Sequence, residues 1–231
     1  MKNPFMICIA NQKGGAGKTT LTMLLAAFWH ENGKKVRILD TDPQKSATKW
    51  EQRSLEDVPA FPVQVIPMSG LDERQFANSA KKEIEGTDYV LIDTPPNLES
   101  KELYAALYVA DIVVVPMSAD SVHFDALEEF RALVDRVNVK REEKGFTPVQ
   151  VYLALNRYSP RSRLEIAMAN QAKLVPGFKL LSKTLANRKP FSNMNILRTT
   201  VYNVTKASDA ARQETAELAK EIGSLAPRSS K

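Results

Sequence analysis

The sequence predicts an α/β fold: a doubly wound, mostly parallel sheet with helices on both faces, forming a single domain over 1–231. Three observations predict it. Short apolar runs alternate with stretches of helical spacing almost from end to end, which is the pattern of βαβ units. Two of those runs, Tyr89-Val90-Leu91-Ile92 and Ile112-Val113-Val114-Val115, are apolar at every position, as in strands covered by helices on both sides. The first run, ending at Ala10, passes straight into a glycine-rich turn and then into a helical pattern. In such sheets ligands bind beyond the carboxyl ends of the strands. Function is therefore expected at 11–20, 40–44, 93–96, 118–121 and 156–160.

The elements follow in order. Residues 5–10 read as a strand. Leu21, Leu24, Leu25 and Phe28 give helical spacing over 19–32, and Gly33 suits the position that ends a helix. A strand is expected over 35–40, a helix over 44–53, a third strand over 63–67 and a helix over 74–85. The strand 88–93, helix 100–109 and strand 112–116 come next, followed by a long amphipathic helix over 121–144. Residues 150–156 form another strand and 163–174 a helix. The run 179–185 reads as extended, and 209–225 as a closing helix capped by Ser208 or Asp209. No Gly/Ser-rich linker or internal repeat divides the chain.

Composition narrows the class. The 231 residues are 43% hydrophobic, ample for a sizeable core. No apolar run approaches the ~20 residues that span a bilayer, and the N-terminal run is too short for a signal segment, so a cytoplasmic protein is expected. The single cysteine, Cys8, excludes an intramolecular disulfide and any all-cysteine cluster within one chain. Net charge is +5, unevenly spread: 140–206 holds 13 Lys/Arg against 3 Asp/Glu, leaving the remainder acidic. A basic half on an otherwise acidic protein suits a polyanionic partner, although a solvated basic face gives the same count.

The turn Lys13-Gly14-Gly15-Ala16-Gly17-Lys18-Thr19-Thr20 lies between a strand and a helix, the context that a phosphate-binding loop requires. Its glycines let backbone N–H groups curl around phosphate oxygens, and the helix N-terminus adds partial positive charge. Lys18 is expected on the β and γ phosphates of ATP and the Thr19 hydroxyl on Mg²⁺. The usual spacing would place glycine at position 12, where this chain has Gln12, and Lys13 is an extra lysine.

With that lysine the loop resembles the deviant Walker A motif, K-G-G-x-G-K-[ST], of the ParA/MinD family of P-loop ATPases. The resemblance implies that Lys13 reaches across a face-to-face dimer to the neighbour's ATP, offsetting charge as an arginine finger does. The segment Asp40-Thr41-Asp42-Pro43-Gln44 matches the family's D-x-D-P-Q. By that resemblance Asp40 belongs to the metal's outer shell, and Asp42 orients and activates the attacking water. The apolar run ending in Asp93 fits a Walker B strand delivering its carboxylate to Mg²⁺ through water, with Thr94-Pro95-Pro96 opening a switch segment. Asn156, at a strand end, can donate to and accept from adenine.

In the small ParA branch an ATP-bound homodimer binds nucleoid DNA without sequence preference. Arg161, Arg163, Arg188, Lys189 and Arg198 are the candidates for that surface here, through salt-dependent phosphate contacts. The resemblance further implies a ParB-like or cargo-adaptor protein that stimulates hydrolysis, and a nucleoid-associated protein that positions a plasmid, chromosome or protein assembly. Because the chain starts at the phosphate-loop strand, an N-terminal helix-turn-helix is not expected. The alternative is a MinD-like membrane ATPase acting in division or flagellar placement. That reading asks for an amphipathic C-terminal helix, and 219–231 offers only Ile222 and Leu225 before Ala-Pro-Arg-Ser-Ser-Lys, so no membrane is expected. Iron–sulfur relatives need paired cysteines, which Cys8 alone does not supply.

Overall fold

The computed structural model describes residues 3–52, 58–118, 124–206 and 208–227. Within them a seven-stranded sheet runs in the order β3-β2-β4-β1-β5-β6-β7. The strands are β1 (Phe5–Ile9), β2 (Val36–Asp40), β3 (Val65–Pro67), β4 (Tyr89–Asp93), β5 (Ile112–Met117), β6 (Gln150–Leu155) and β7 (Phe178–Leu180), and every pairing is parallel. Side chains alternate across the strands, so each feeds two cores. Ile7, Ile9, Ile38, Leu91 and Val114 face one side. There they meet α1 (Lys18–Glu31), α2 (Ser46–Gln52), α7 (Lys189–Leu197) and α8 (Ala210–Gly223). Cys8, Leu39, Val90, Ile92, Val113 and Leu153 face the other, against α3 (Glu73–Glu83), α4 (Lys101–Val109) and α5 (Phe124–Glu143). The last helix, α6 (Arg163–Ala172), lies beside β6 and β7, with Met168 and Ala169 packed on Leu155.

Helix ends follow their local chemistry. Asp72 and Gln75 form a reciprocal capping box on α3, Ser100 caps α4 and Asp209 caps α8. At the far end of α4 the buried Arg141 of α5 donates to the carbonyls of Leu107, Tyr108 and Ala110, and its Nε to that of Thr147. Two expectations change. The extended run 179–185 keeps strand pairing only over β7, and Leu185 returns as an isolated bridge to Asn156. A helix absent from the sequence reading, α7, starts at Lys189 with Pro190 in its first turn. The start of the helix expected at 121 and the end of the one expected at 53 lie outside the described residues.

An all-parallel sheet puts every carboxyl end on one edge. β1 sits centrally, between β4 and β5, so its outgoing loop is flanked by the ends of both neighbours. Register then levels the carboxylates: Asp93 pairs with Ile9 on one side and with Asp40 on the other.

Candidate functional site

The loop after β1 is a turn whose glycines take conformations closed to other residues. Gly15 (φ 76) and Gly17 (φ 94) are both left-handed. A Cβ at Gly17 would also clash with Asn156 Nδ2, so the Asn156 side chain would have to move. Asn156 is brought to that point by β6 and donates to the carbonyl of Ala16 at 3.2 Å. Gly17 ends the loop as the N-cap of α1 without any side-chain cap, which leaves the helix's first N–H groups directed at the turn.

Lys18 and Thr19 open α1. Lys18 is 8% exposed, and burial lowers its pKa, opposed by the charges of Asp93 and Asp42. Its ammonium donates to the Lys13 carbonyl at 3.4 Å. The Thr19 hydroxyl donates to Asp93 Oδ2 at 2.7 Å, and Thr22 to Oδ1 at 3.3 Å. Asp93 is 1% exposed, and burial pushes its carboxyl up to about 7 against the Thr19 hydrogen bond. The strand ends are tied together: the Thr41 hydroxyl donates to the Asp93 carbonyl at 2.8 Å, and the Thr94 hydroxyl to that of Ile9 at 2.8 Å.

A hydroxyl and a carboxylate 2.7 Å apart, beside a phosphate-type turn, fit magnesium, which takes few protein ligands and completes its shell with water and phosphate. Among the described residues no cluster of three or more His, Cys, Asp or Glu offers an all-protein cage. Asp40, expected in the metal's outer shell, holds three hydrogen bonds within the protein. It is fully buried, with Oδ1 accepting from the Asp42 N–H and Oδ2 from both the N–H and the hydroxyl of Thr48. Burial raises its pKa while the Thr48 bonds lower it. Asp40 therefore anchors the turn that carries Asp42. Asp42 itself accepts from the Gln44 N–H at 2.8 Å and lines the phosphate pocket.

Three adjoining cavities surround the loop. One of about 360 Å³ is bounded by Gly14, Gly15, Gly17, Lys18, Thr19 and Asp42, and also by Trp50, Arg157 and Arg198. Its size and lining suit a phosphate tail. A smaller recess of about 60 Å³ shares Gly17, Thr20, Arg157 and Asn195 with it and adds Phe191 and Asn156, the residue expected at the nucleobase. The third, about 690 Å³, shares Pro96 with the first and is lined by Lys13, Leu98, Met117 and Phe130. Lys13 lines this third cavity.

Of the five basic residues expected at a DNA surface, Arg161, Arg163 and Lys189 are exposed. The other two have partners within the chain. Arg188 pairs with Glu214 at 2.6 Å and lines the nucleobase recess. Arg198 stands 5.3 Å over the Trp50 ring and lines the phosphate pocket. The sequence reading also missed Arg157, Trp50 and Asn195 as lining residues. Residue 157 lay within the expected strand-end loops, whereas nothing local marked 50 or 195. The part of 118–121 beyond Ser118 lies outside the described residues.

Comparison with known proteins shows the family and the fold. The family described as the CobQ/CobB/MinD/ParA nucleotide binding domain matches residues 7–216. A maintenance of carboxysome distribution protein A from Halothiobacillus neapolitanus is 22% identical over 218 residues, covering 94% of this chain and 96% of that protein. A chromosome-partitioning ATPase, Soj, from Thermus thermophilus is 34% identical over 154 residues, covering 57% of this chain and 61% of Soj. Among solved structures, a plasmid partition protein from Borrelia burgdorferi bound to AMPPNP shares the fold. The TM-score is 0.70 at 21% identity, over 96% of this chain and 99% of that one.

Proposed function

The chain belongs to the CobQ/CobB/MinD/ParA family of nucleotide-binding domains and is an ATPase of the P-loop class, and from that premise we propose that it positions a cargo as an ATP-dependent homodimer. In this reading ATP occupies the phosphate pocket and the recess beside Asn156. The loop N–H groups and Lys18 hold the β and γ phosphates. Thr19, and Asp93 through water, would hold Mg²⁺, which when bound supplies charge neutralisation on the phosphate oxygens. Asp42, fixed by Asp40 through its own N–H, orients the attacking water on the γ-phosphate.

One observation supports the dimer: Lys13 lines a cavity other than the one bounded by Gly14, Gly15, Lys18, Thr19 and Asp42. A cation so placed serves a second nucleotide, the one held by a facing copy. The paired form then presents Arg161, Arg163 and Lys189 to duplex DNA without reading its sequence. An adaptor on the cargo stimulates hydrolysis and releases the pair. Among the described residues no helix is long and apolar enough to cross a membrane.

The test is sedimentation of the purified chain with ATP and Mg²⁺. A dimer should form with ATP and dissolve with ADP, and only the ATP form should retain duplex DNA. Replacing Arg161 and Arg163 by Glu should remove DNA retention and leave pairing intact. A wild-type protein that stays single with ATP, or a dimer that ignores DNA, refutes the reading.

A further inference from the structure

We propose that Arg198 binds the phosphate tail of the nucleotide held by its own chain, on a platform formed by Trp50. This rests on the nucleotide reading of the pocket above. Arg198 lines the same pocket as Lys18 and Thr19. Its guanidinium lies over the Trp50 ring, and its Nη1 donates to Asn195 Oδ1 at 3.4 Å, a long contact. Neither of the two ion pairs among the described residues uses it. Arg188, the N-cap residue of α7, by contrast pairs with Glu214.

Backbone strain marks the same place. Among the described residues the positive-φ positions other than glycine are Lys45, Arg157 and Arg198, and all three are basic. Arg157 and Arg198 line the phosphate pocket, and Lys45 lies between two of its lining residues, Gln44 and Ser46. Arg198 is the left-handed C-cap that ends α7 (φ 54), a position where glycine is usual, and here it carries an arginine whose side chain lines the pocket. The platform is rigid: Trp50 is 1% exposed and its indole N–H donates to the Thr199 carbonyl at 3.3 Å. A planar guanidinium can stack on indole and still offer paired N–H groups to a phosphate, which an ammonium cannot. Trp50 belongs to α2, whose start is fixed by Asp40 through Thr48, so a nucleotide held by Arg198 also steadies the turn bearing Asp42.

The experiment compares equilibrium binding of ATP to the full nucleotide-free chain as wild type, Arg198→Gln, Arg198→Lys and Arg198→Gly, with thermal unfolding of each. Gln and Gly should weaken ATP about tenfold or more, as expected for lost charge-assisted hydrogen bonds, and Lys should fall between. The unfolding midpoint of nucleotide-free Arg198→Gly should equal or exceed that of wild type, because glycine relieves the strain. ATP affinity within about twofold of wild type for both Gln and Gly overturns the proposal. So does weakened binding that accompanies a lower midpoint in Arg198→Gly, since the arginine would then serve the fold. A wild-type chain that fails to bind ATP sinks the nucleotide reading itself.

Discussion

Replacing Gly17 by alanine tests whether the phosphate loop and the nucleobase recess are one mechanical unit. Two costs arise from the structure. Alanine at φ 94 carries a left-handed penalty of about 1–2 kcal/mol. Its Cβ also collides with Asn156 Nδ2, so the Asn156 side chain must swing away. That breaks the 3.2 Å bond to the Ala16 carbonyl, worth about 1 kcal/mol. Gly17→Ala should therefore cost about 2–3 kcal/mol. Asn156→Ala alone removes only the bond and should cost about 1 kcal/mol. In the double variant the collision has gone and the bond was already lost, so the total should match Gly17→Ala alone. The pair falls short of additivity by about 1 kcal/mol. Urea unfolding of the nucleotide-free proteins, with unchanged m-values, measures all four corners. A double variant that costs the full sum refutes the reasoning, because Asn156 would then not be the group displaced.

Three further outcomes follow from the site and its frame. Asp42→Ala should lower ATP hydrolysis about 100-fold or more while ATP binding and pairing persist, and retained turnover would move the water-orienting role elsewhere. Asp93 is pushed by burial to about 7 when folded, above its unfolded value, so it contributes nothing below about pH 4. It destabilises the metal-free fold increasingly as pH rises from 4 to 7. The full shift is at most about 4 kcal/mol by pH 8. Asp93→Asn should remove that part of the slope, and equal slopes from pH 5 to 8 for the two proteins would count against it. Arg141→Met should cost about 3 kcal/mol in urea unfolding by stripping donors from the C-terminal carbonyls of α4, with ATP affinity unchanged.

What the sequence made legible is what local chemistry dictates. The phosphate loop is readable because its glycines, its two lysines and its flanking elements are contiguous. Asp93 is readable because a strand buried on both faces must deliver its last residue to the sheet edge. α7 escaped notice because Lys189–Leu197 is short and rich in Pro, Ser and Asn; Phe191, Met194 and Leu197 keep a three-residue spacing, but only Met194 is buried. Asp40 and Asp42 look equivalent in sequence. Their roles part only through Thr48, whose N–H and hydroxyl claim Asp40. The basic half shows the same limit. Charge counting cannot distinguish a solvated arginine from one parked on an indole at the other end of the chain, as Arg198 is on Trp50.

In the proposed reading, that division of cations separates loading from pairing. Lys18, Arg157 and Arg198 line the phosphate pocket within one chain, whereas Lys13 lines a different cavity. Charge supplied in cis would favour nucleotide binding by a single copy, and Lys13, acting on a facing copy, would favour pairing only after both are loaded. Lys13→Ala should then bind ATP nearly as wild type does yet fail to pair, as read by titration and sedimentation. Arg198→Gln should do the reverse, needing more ATP to load but pairing normally once saturated. If both variants lose binding and pairing in the same proportion, the cations act as one undivided field, and loading and dimerisation are a single step.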